Sequence, residues 1–208
     1  MDYRRSDFAN DDNVSRDILT DFDRWYELLL RWNTRINLVS RHALDDFWLR
    51  HALDSWQVWQ TIPRSAKTVL DLGSGGGFPG LALAIGAKHS GHAHVTLTES
   101  AGKKANFLRT VIRELSLPAI VHGGRIENMP ADHYDVITAR AFAPLPKLLT
   151  YAKPFWGPGT TAILLKGQNA DAEIEHARKL WDFDIESHIS RSDPGAVLLT
   201  ISGLSPKT

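Results

Sequence analysis

The residues best suited to do chemistry lie in the segment TVLDLGSGGGFPG, residues 68–80. An apolar run ends at Asp71-Leu72, and Gly73, Gly75, Gly76 and Gly77 then offer positive φ and close approach of a ligand to the backbone. Pro79-Gly80 suits the opening of a helix. Strand, turn and helix in that order place a ligand at the carboxyl end of a sheet. A tight turn that needs glycine for geometry alone is the plainer alternative, and the density of glycines at residues 73–77 makes it the weaker one.

Two kinds of ligand fit this turn. Residues 75–80, GGGFPG, satisfy the dinucleotide pattern, and Glu99 follows at the ~20-residue offset of a ribose-binding acid. S-adenosylmethionine carries no phosphate, and its sulfonium and ammonium groups are attracted to a carboxylate such as Asp71, which repels a pyrophosphate. Asp71 could equally cap the turn with its side chain, which suits either ligand. Glu99, ending the run HVTLTE, can accept from both ribose hydroxyls or cap the helix that starts near Gly102. In Gly123-Gly124-Arg125-Ile126-Glu127, Ile126 is expected against an adenine face and Glu127 near its edge. Arg140, at the end of a further run, can bond a base or the donor's carboxylate, or form a structural salt bridge.

The residue types also exclude chemistry. Methylation at carbon 5 of a pyrimidine needs a thiolate, and the chain contains no cysteine. Amino methyltransferases commonly carry Asn or Asp, Pro-Pro and an aromatic residue where this chain has Thr138-Ala139-Arg140-Ala141-Phe142. An acceptor that is already nucleophilic, such as a purine N7, fits better and needs no general base. Catalysis is then mostly alignment, for which effective molarities reach ~10⁵ M or more. His51 and Asp54 share a helix face, where an internal hydrogen bond or interdomain contact is a better reading than catalysis. The histidines show no metal-ligand spacing, so no metal is expected.

The elements that must position these residues fall in two parts. Residues 1–62 carry apolar side chains at three- and four-residue steps (Ile18, Phe22, Trp25, Leu29, then Phe47, Leu53, Trp56), which predicts a helical extension. Residues 63–208 alternate strand-like and helical runs. Strands are expected over 68–72, 94–98, 119–122, 134–139, 160–165, 183–188 and 196–202, and helices over 80–88, 102–115, 145–155 and 171–181. The fold class is α/β, a Rossmann-like class I methyltransferase domain with a seven-stranded, mostly parallel sheet ending in an antiparallel hairpin. At 208 residues and 43% hydrophobic, the chain suffices for one compact unit. The longest apolar runs fall short of the ~20 residues needed to cross a bilayer, and no signal peptide is visible, so a cytoplasmic protein without membrane contact is expected.

Taken together, Trp32-Asn33 with Ile36-Asn37-Leu38, Arg50-His51 with Leu53-Asp54-Ser55, DLGSGGGFPGLALAI, Glu99 with Lys103-Lys104 and Phe107-Leu108, Gly124-Arg125-Ile126-Glu127, Arg140-Ala141-Phe142 and Leu165-Lys166-Gly167 closely resemble the RsmG family, also called glucose-inhibited division protein B. The resemblance covers about residues 20–170. It implies methyl transfer from S-adenosylmethionine to N7 of guanine 527, in the 530 loop of bacterial 16S rRNA. It further implies donor-binding roles for Gly73, Phe78, Ile126, Glu127 and Arg140, while Asp71, Gly75 and Glu99 are added from the turn's geometry. The expected partner is 16S rRNA or the small ribosomal subunit, with no obligate protein partner.

Lys plus Arg and Asp plus Glu each number 24, so any RNA contact must come from local patches. Candidates are Arg31, Arg35, Lys103, Lys104, Arg125, Lys147 and Lys166, for which solvated helix faces are the plainer reading. Phe142 could stack on a looped-out base or belong to the core. An NAD-dependent oxidoreductase, a ribosome-binding factor without turnover and a small-molecule methyltransferase stay open as alternatives.

Overall fold

The computed structural model describes residues 3–11 and 13–207, the side chains of Arg41 and His42 excepted, and it contains one sheet of seven strands. Five are parallel: β1 (Thr68–Leu72), β2 (His94–Glu99), β3 (Ala119–Gly123), β4 (Tyr134–Arg140) and β5 (Trp156–Lys166). Two return antiparallel, β6 (Trp181–Ile189) and β7 (Val197–Pro206), with β7 inserted between β5 and β6. The spatial order is β3-β2-β1-β4-β5-β7-β6. Chain order therefore reverses between β1 and β4, and the crevice for a ligand opens beyond their carboxyl ends.

Alternation along β1 decides what each of its residues can do. Leu70 and Leu72 join the core beneath α7 (Leu145–Ala152), with Leu148, Leu149 and Phe155. Val69 joins the opposite face, with Leu81 of α5 (Gly80–Ser90) and Phe107 of α6 (Gly102–Glu114). Asp71 shares Val69's parity and so lies on the face covered by α5.

The N-terminal region forms α1 (Arg5–Ala9), α2 (Arg16–Asn33), α3 (Arg41–Asp45), a π-helical segment (Phe47–Leu53) and α4 (Asp54–Thr61). Ser15 caps α2 by accepting the Ile18 amide at 3.2 Å. Its apolar stripe buries Phe22 and Trp25, and Trp25 approaches Phe78 to 5.0 Å between ring centres. These side chains belong to the same core as Val69, Leu81 and Phe107, so the extension and the α5 face of the sheet share one apolar interior. Residues 34–39 are held by Asn33, whose Oδ1 accepts the amides of Leu38 and Val39 at 2.9 and 3.1 Å.

Several elements differ from expectation at their ends: β5 and β6 run longer at both ends, β7 extends to Pro206 and α5 to Ser90. The helix expected through Phe47 and Trp56 begins as the π-helical segment and becomes α-helical at Asp54. The helix expected to reach Phe155 stops at Ala152 and tightens into a 3₁₀ turn over Lys153–Phe155, where Pro154 supplies no amide hydrogen. The final helix, α8, spans Ala170–Ala177, and Trp181 already belongs to β6.

Candidate functional site

At the carboxyl end of β1 the backbone turns through Gly73, Gly75 and Gly77 with φ of +69°, +55° and +101°. The Gly73 amide donates to Thr98 Oγ1 at 2.9 Å, and the Gly75 amide to Glu99 Oε2 at 2.9 Å. The other Glu99 oxygen accepts the Ala101 amide at 2.7 Å, at the start of α6. Glu99 therefore ties the glycine turn to the next helix and remains on the wall of a cavity of about 580 Å³. Gly73, Ile126, Glu127, Arg125 and Lys147 line the same cavity. The wall of this cavity thus combines the Glu99 carboxylate, Ile126 and the backbone of Gly73.

Asp71 does not line that cavity. It is fully buried beneath the turn, where Oδ2 accepts the Gly80 amide at 3.1 Å and Oδ1 accepts Thr138 Oγ1 at 3.0 Å. The reading of Asp71 as a residue facing the donor is corrected by strand parity: its side chain points under α5 and caps the turn. Burial is the main cause that raises its pKa to about 6, against hydrogen bonds that lower it. The carboxylate occupies the first amide of α5, the group that a pyrophosphate would seek at a helix N-terminus. A Cβ at residue 80 would lie 2.5 Å from Asp71 Oδ2, so glycine is required there.

The Phe78 ring is likewise outside the donor cavity. It stacks on His51 at 4.1 Å with planes 18° apart, and the Arg140 guanidinium carbon lies 4.8 Å above its centre. Any contact from Phe78 to a donor in the cavity would have to come from its backbone.

Arg140 joins the extension to the sheet. Nη1 donates to Arg50 O at 2.5 Å and to Asp54 Oδ2 at 3.1 Å, and Nη2 bonds His51 Nδ1 at 2.7 Å. Guanidinium nitrogens only donate, so Nδ1 accepts and the imidazole hydrogen sits on Nε2. Burial, then the neighbouring Arg140 charge, lower the His51 pKa to about 3. His51 and Asp54 thus act as internal partners of Arg140, and the salt bridge foreseen as its plainer role is present.

Arg140 also lines a second cavity, of about 740 Å³, with Arg50, His51, Asp54, Lys166, Glu173 and Asp193. The two cavities share one wall, Ala141-Phe142-Ala143. Phe142 lies so close over the turn that a Cβ on Gly73 would fall 2.3 Å from its ring. Ala141, next to it, holds φ +51° without being glycine, a conformation that stores strain at the joint.

Of the basic candidates, Arg125 and Lys147 reach the first cavity and Lys166 the second. Arg31 and Arg35 flank a separate concavity around Trp32, and Lys103 is exposed at the start of α6 while Lys104 is half-buried. Sequence reasoning did not single out Glu173 or Asp193; neither lies in a recognisable motif. Among the described residues no cluster of three or more His, Asp and Glu could hold a metal ion, and no helix is long and apolar enough to cross a membrane.

A family model described as GidB, rRNA small subunit methyltransferase G, matches residues 18–193. The chain is 42% identical over 205 residues to the ribosomal RNA small subunit methyltransferase G of Rhodospirillum centenum, covering 99% of this chain and 93% of that protein. It is 46% identical over 193 residues to the protein of the same name from Acidiphilium cryptum, covering 92% and 88%. Among solved structures, the O-methyltransferase from Bacillus cereus in complex with SAH shares the fold, with a TM-score of 0.58, 18% identity and coverage of 93% and 94%. The M. jannaschii TYW2 in complex with AdoMet does so with a TM-score of 0.57, 13% identity and coverage of 84% and 80%.

Proposed function

Since the chain belongs to the GidB family, rRNA small subunit methyltransferase G, we propose that it methylates N7 of guanine 527 in the 530 loop of 16S rRNA, with S-adenosylmethionine in the glycine-turn cavity and the guanine in the larger one. The observation that carries this reading is the shared wall: two cavities, of about 580 and 740 Å³, meet at Ala141-Phe142-Ala143, beyond the carboxyl end of β4. The bound donor supplies an electrophilic methyl group on a sulfonium.

The protein's own residues bind and orient. Glu99 receives ribose hydroxyls, Ile126 packs on adenine with Glu127 at its edge, and Gly73 and Gly75 admit the donor to the backbone. Asp71 acts indirectly, by fixing the turn through Gly80, and Phe78 by bracing Arg140. Arg140 shapes the wall of the acceptor cavity. The lone pair of a purine N7 is free at neutral pH, so no side chain has to remove a proton, and the neutral His51 is not needed as a base.

Residues 1–62 serve as a helical extension that completes the acceptor cavity, and residues 63–208 as the methyltransferase domain. Arg125, Lys147 and Lys166 are the basic candidates nearest the reaction, with Arg31, Arg35, Lys103 and Lys104 contacting RNA further out. The partner is 16S rRNA or the small subunit, in the cytoplasm, with no obligate protein partner.

Thermal unfolding with S-adenosylhomocysteine against NAD tests the cofactor assignment. At 100 times its dissociation constant the former stabilises by ~2.7 kcal/mol, and NAD leaves the midpoint unchanged. Stabilisation by NAD alone would overturn the reading.

A further inference from the structure

Three carboxylates line the larger cavity, Asp54, Glu173 and Asp193, and their bonding separates them. Asp54 is engaged inside the protein: Oδ1 accepts Ser192 Oγ at 2.6 Å and Gln57 Nε2 at 3.0 Å, and Oδ2 accepts Arg140. Asp193 is exposed and closes its own turn, its Oδ1 accepting the Gly195 amide at 2.9 Å. Glu173, on α8, is half-buried. Its Oε2 accepts the Leu145 amide at 2.7 Å and pairs with Lys166 Nζ at 2.5 Å, and the side chain keeps 25% of its surface exposed. Lys166 also donates to Ala143 O at 3.0 Å. The pair therefore grips residues 143–145, the continuation of the shared wall, and Glu173 touches only the cavity on the acceptor side.

Guanine and adenine both present an N7 lone pair, so a pocket that aligns N7 alone cannot tell them apart. They differ at the Watson–Crick edge, where guanine donates from N1–H and its 2-amino group and adenine N1 accepts. Splayed-out bases are distinguished by hydrogen bonds at that edge, and a carboxylate accepts both guanine donors while repelling the adenine lone pair. Methylation at N7 also leaves the purine cationic, which a nearby carboxylate favours.

We propose that Glu173 is the specificity-determining residue of the acceptor cavity, the exposed part of its carboxylate accepting from the 2-amino and N1–H edge of the target guanine while Lys166 holds it in register. This inference rests on guanine being the acceptor.

The test compares small-subunit particles carrying guanosine or inosine at the target position, inosine lacking only the 2-amino group. The wild-type protein is expected to favour guanosine in kcat/KM by about tenfold or more, the scale of one well-made base contact. Glu173→Gln keeps an acceptor for the Leu145 amide and should bring that ratio down to within about twofold of unity, by the loss of that same contact. S-adenosylhomocysteine binding reports whether the variant is folded. If it fails to bind, Glu173→Asp decides in its place: a reduced ratio supports the proposal and an unchanged ratio overturns it. A purely structural Glu173 would slow both substrates equally and leave the ratio intact, which overturns the proposal, as would a wild-type ratio near one or a ratio that responds to Asp193→Asn instead. Absence of methylated guanine with the wild-type protein would instead contradict the functional reading itself.

Discussion

His51 and Asp71 are two buried titratable groups with opposite consequences for pH. Asp71 is raised from its ordinary value to about 6, so its contribution to stability is largest below its unfolded value and declines as pH rises through 6. His51 is lowered to about 3, so its contribution is complete above the unfolded value of ~6.5 and is lost as pH falls toward 3. Between pH 7 and 5 the second effect removes about 2 kcal/mol, at ~1.4 kcal/mol per pH unit. His51→Gln keeps an acceptor for Arg140 but does not titrate, so urea unfolding should show that this variant loses about 2 kcal/mol less than the wild type over that interval. Equal losses would mean that His51 is not held neutral by burial. At this scale the sequence was legible where backbone geometry speaks, at the glycine turn, and at Glu99 the plainer reading as a cap of the next helix is the one the hydrogen bonds show. It was misleading at Asp71, because a carboxylate at the end of a strand can point to either face and only the cover provided by α5 decides.

The elements were legible because their periodicities are strong: each of the seven expected strands has a counterpart in the sheet, and the antiparallel return of β6 and β7 follows from two runs without an intervening helix. The π-helical segment was not, since nothing in FWLRHAL distinguishes it from an α-helix. Its insertion aims the Arg50 carbonyl, His51 and Asp54 at Arg140, at a place where such bulges frequently serve function. The Arg140–Asp54 pair is largely buried, with side-chain exposures of 18% and 15%. Removing one partner leaves the other charge uncompensated. Asp54→Ala is therefore expected to destabilise the protein by several kcal/mol, up to the ~3–5 kcal/mol typical of a halved buried pair. Chemical denaturation measures it, and a loss below about 1 kcal/mol, the range of exposed pairs, would show that the extension is not clamped through this contact.

Across the whole molecule, the N-terminal helices and the sheet share an apolar interior and jointly line the larger cavity, whose walls come from segments as far apart as Arg50 and Asp193. That cavity was the least legible feature, because only the fold brings Ser192 to Asp54 of the extension and sets Glu173 and Asp193 on the same cavity. Neutral overall charge likewise says little about RNA, since Arg125, Lys147 and Lys166 are gathered at the cavities by the fold. In the proposed arrangement one cavity holds the methyl donor and the other a guanine, N7 toward the shared wall. Small-subunit particles incubated with the protein and isotopically labelled S-adenosylmethionine, then digested and mapped by mass spectrometry, should carry the label as 7-methylguanosine at position 527. Label in adenine, in cytosine, or on another atom of guanine would contradict it.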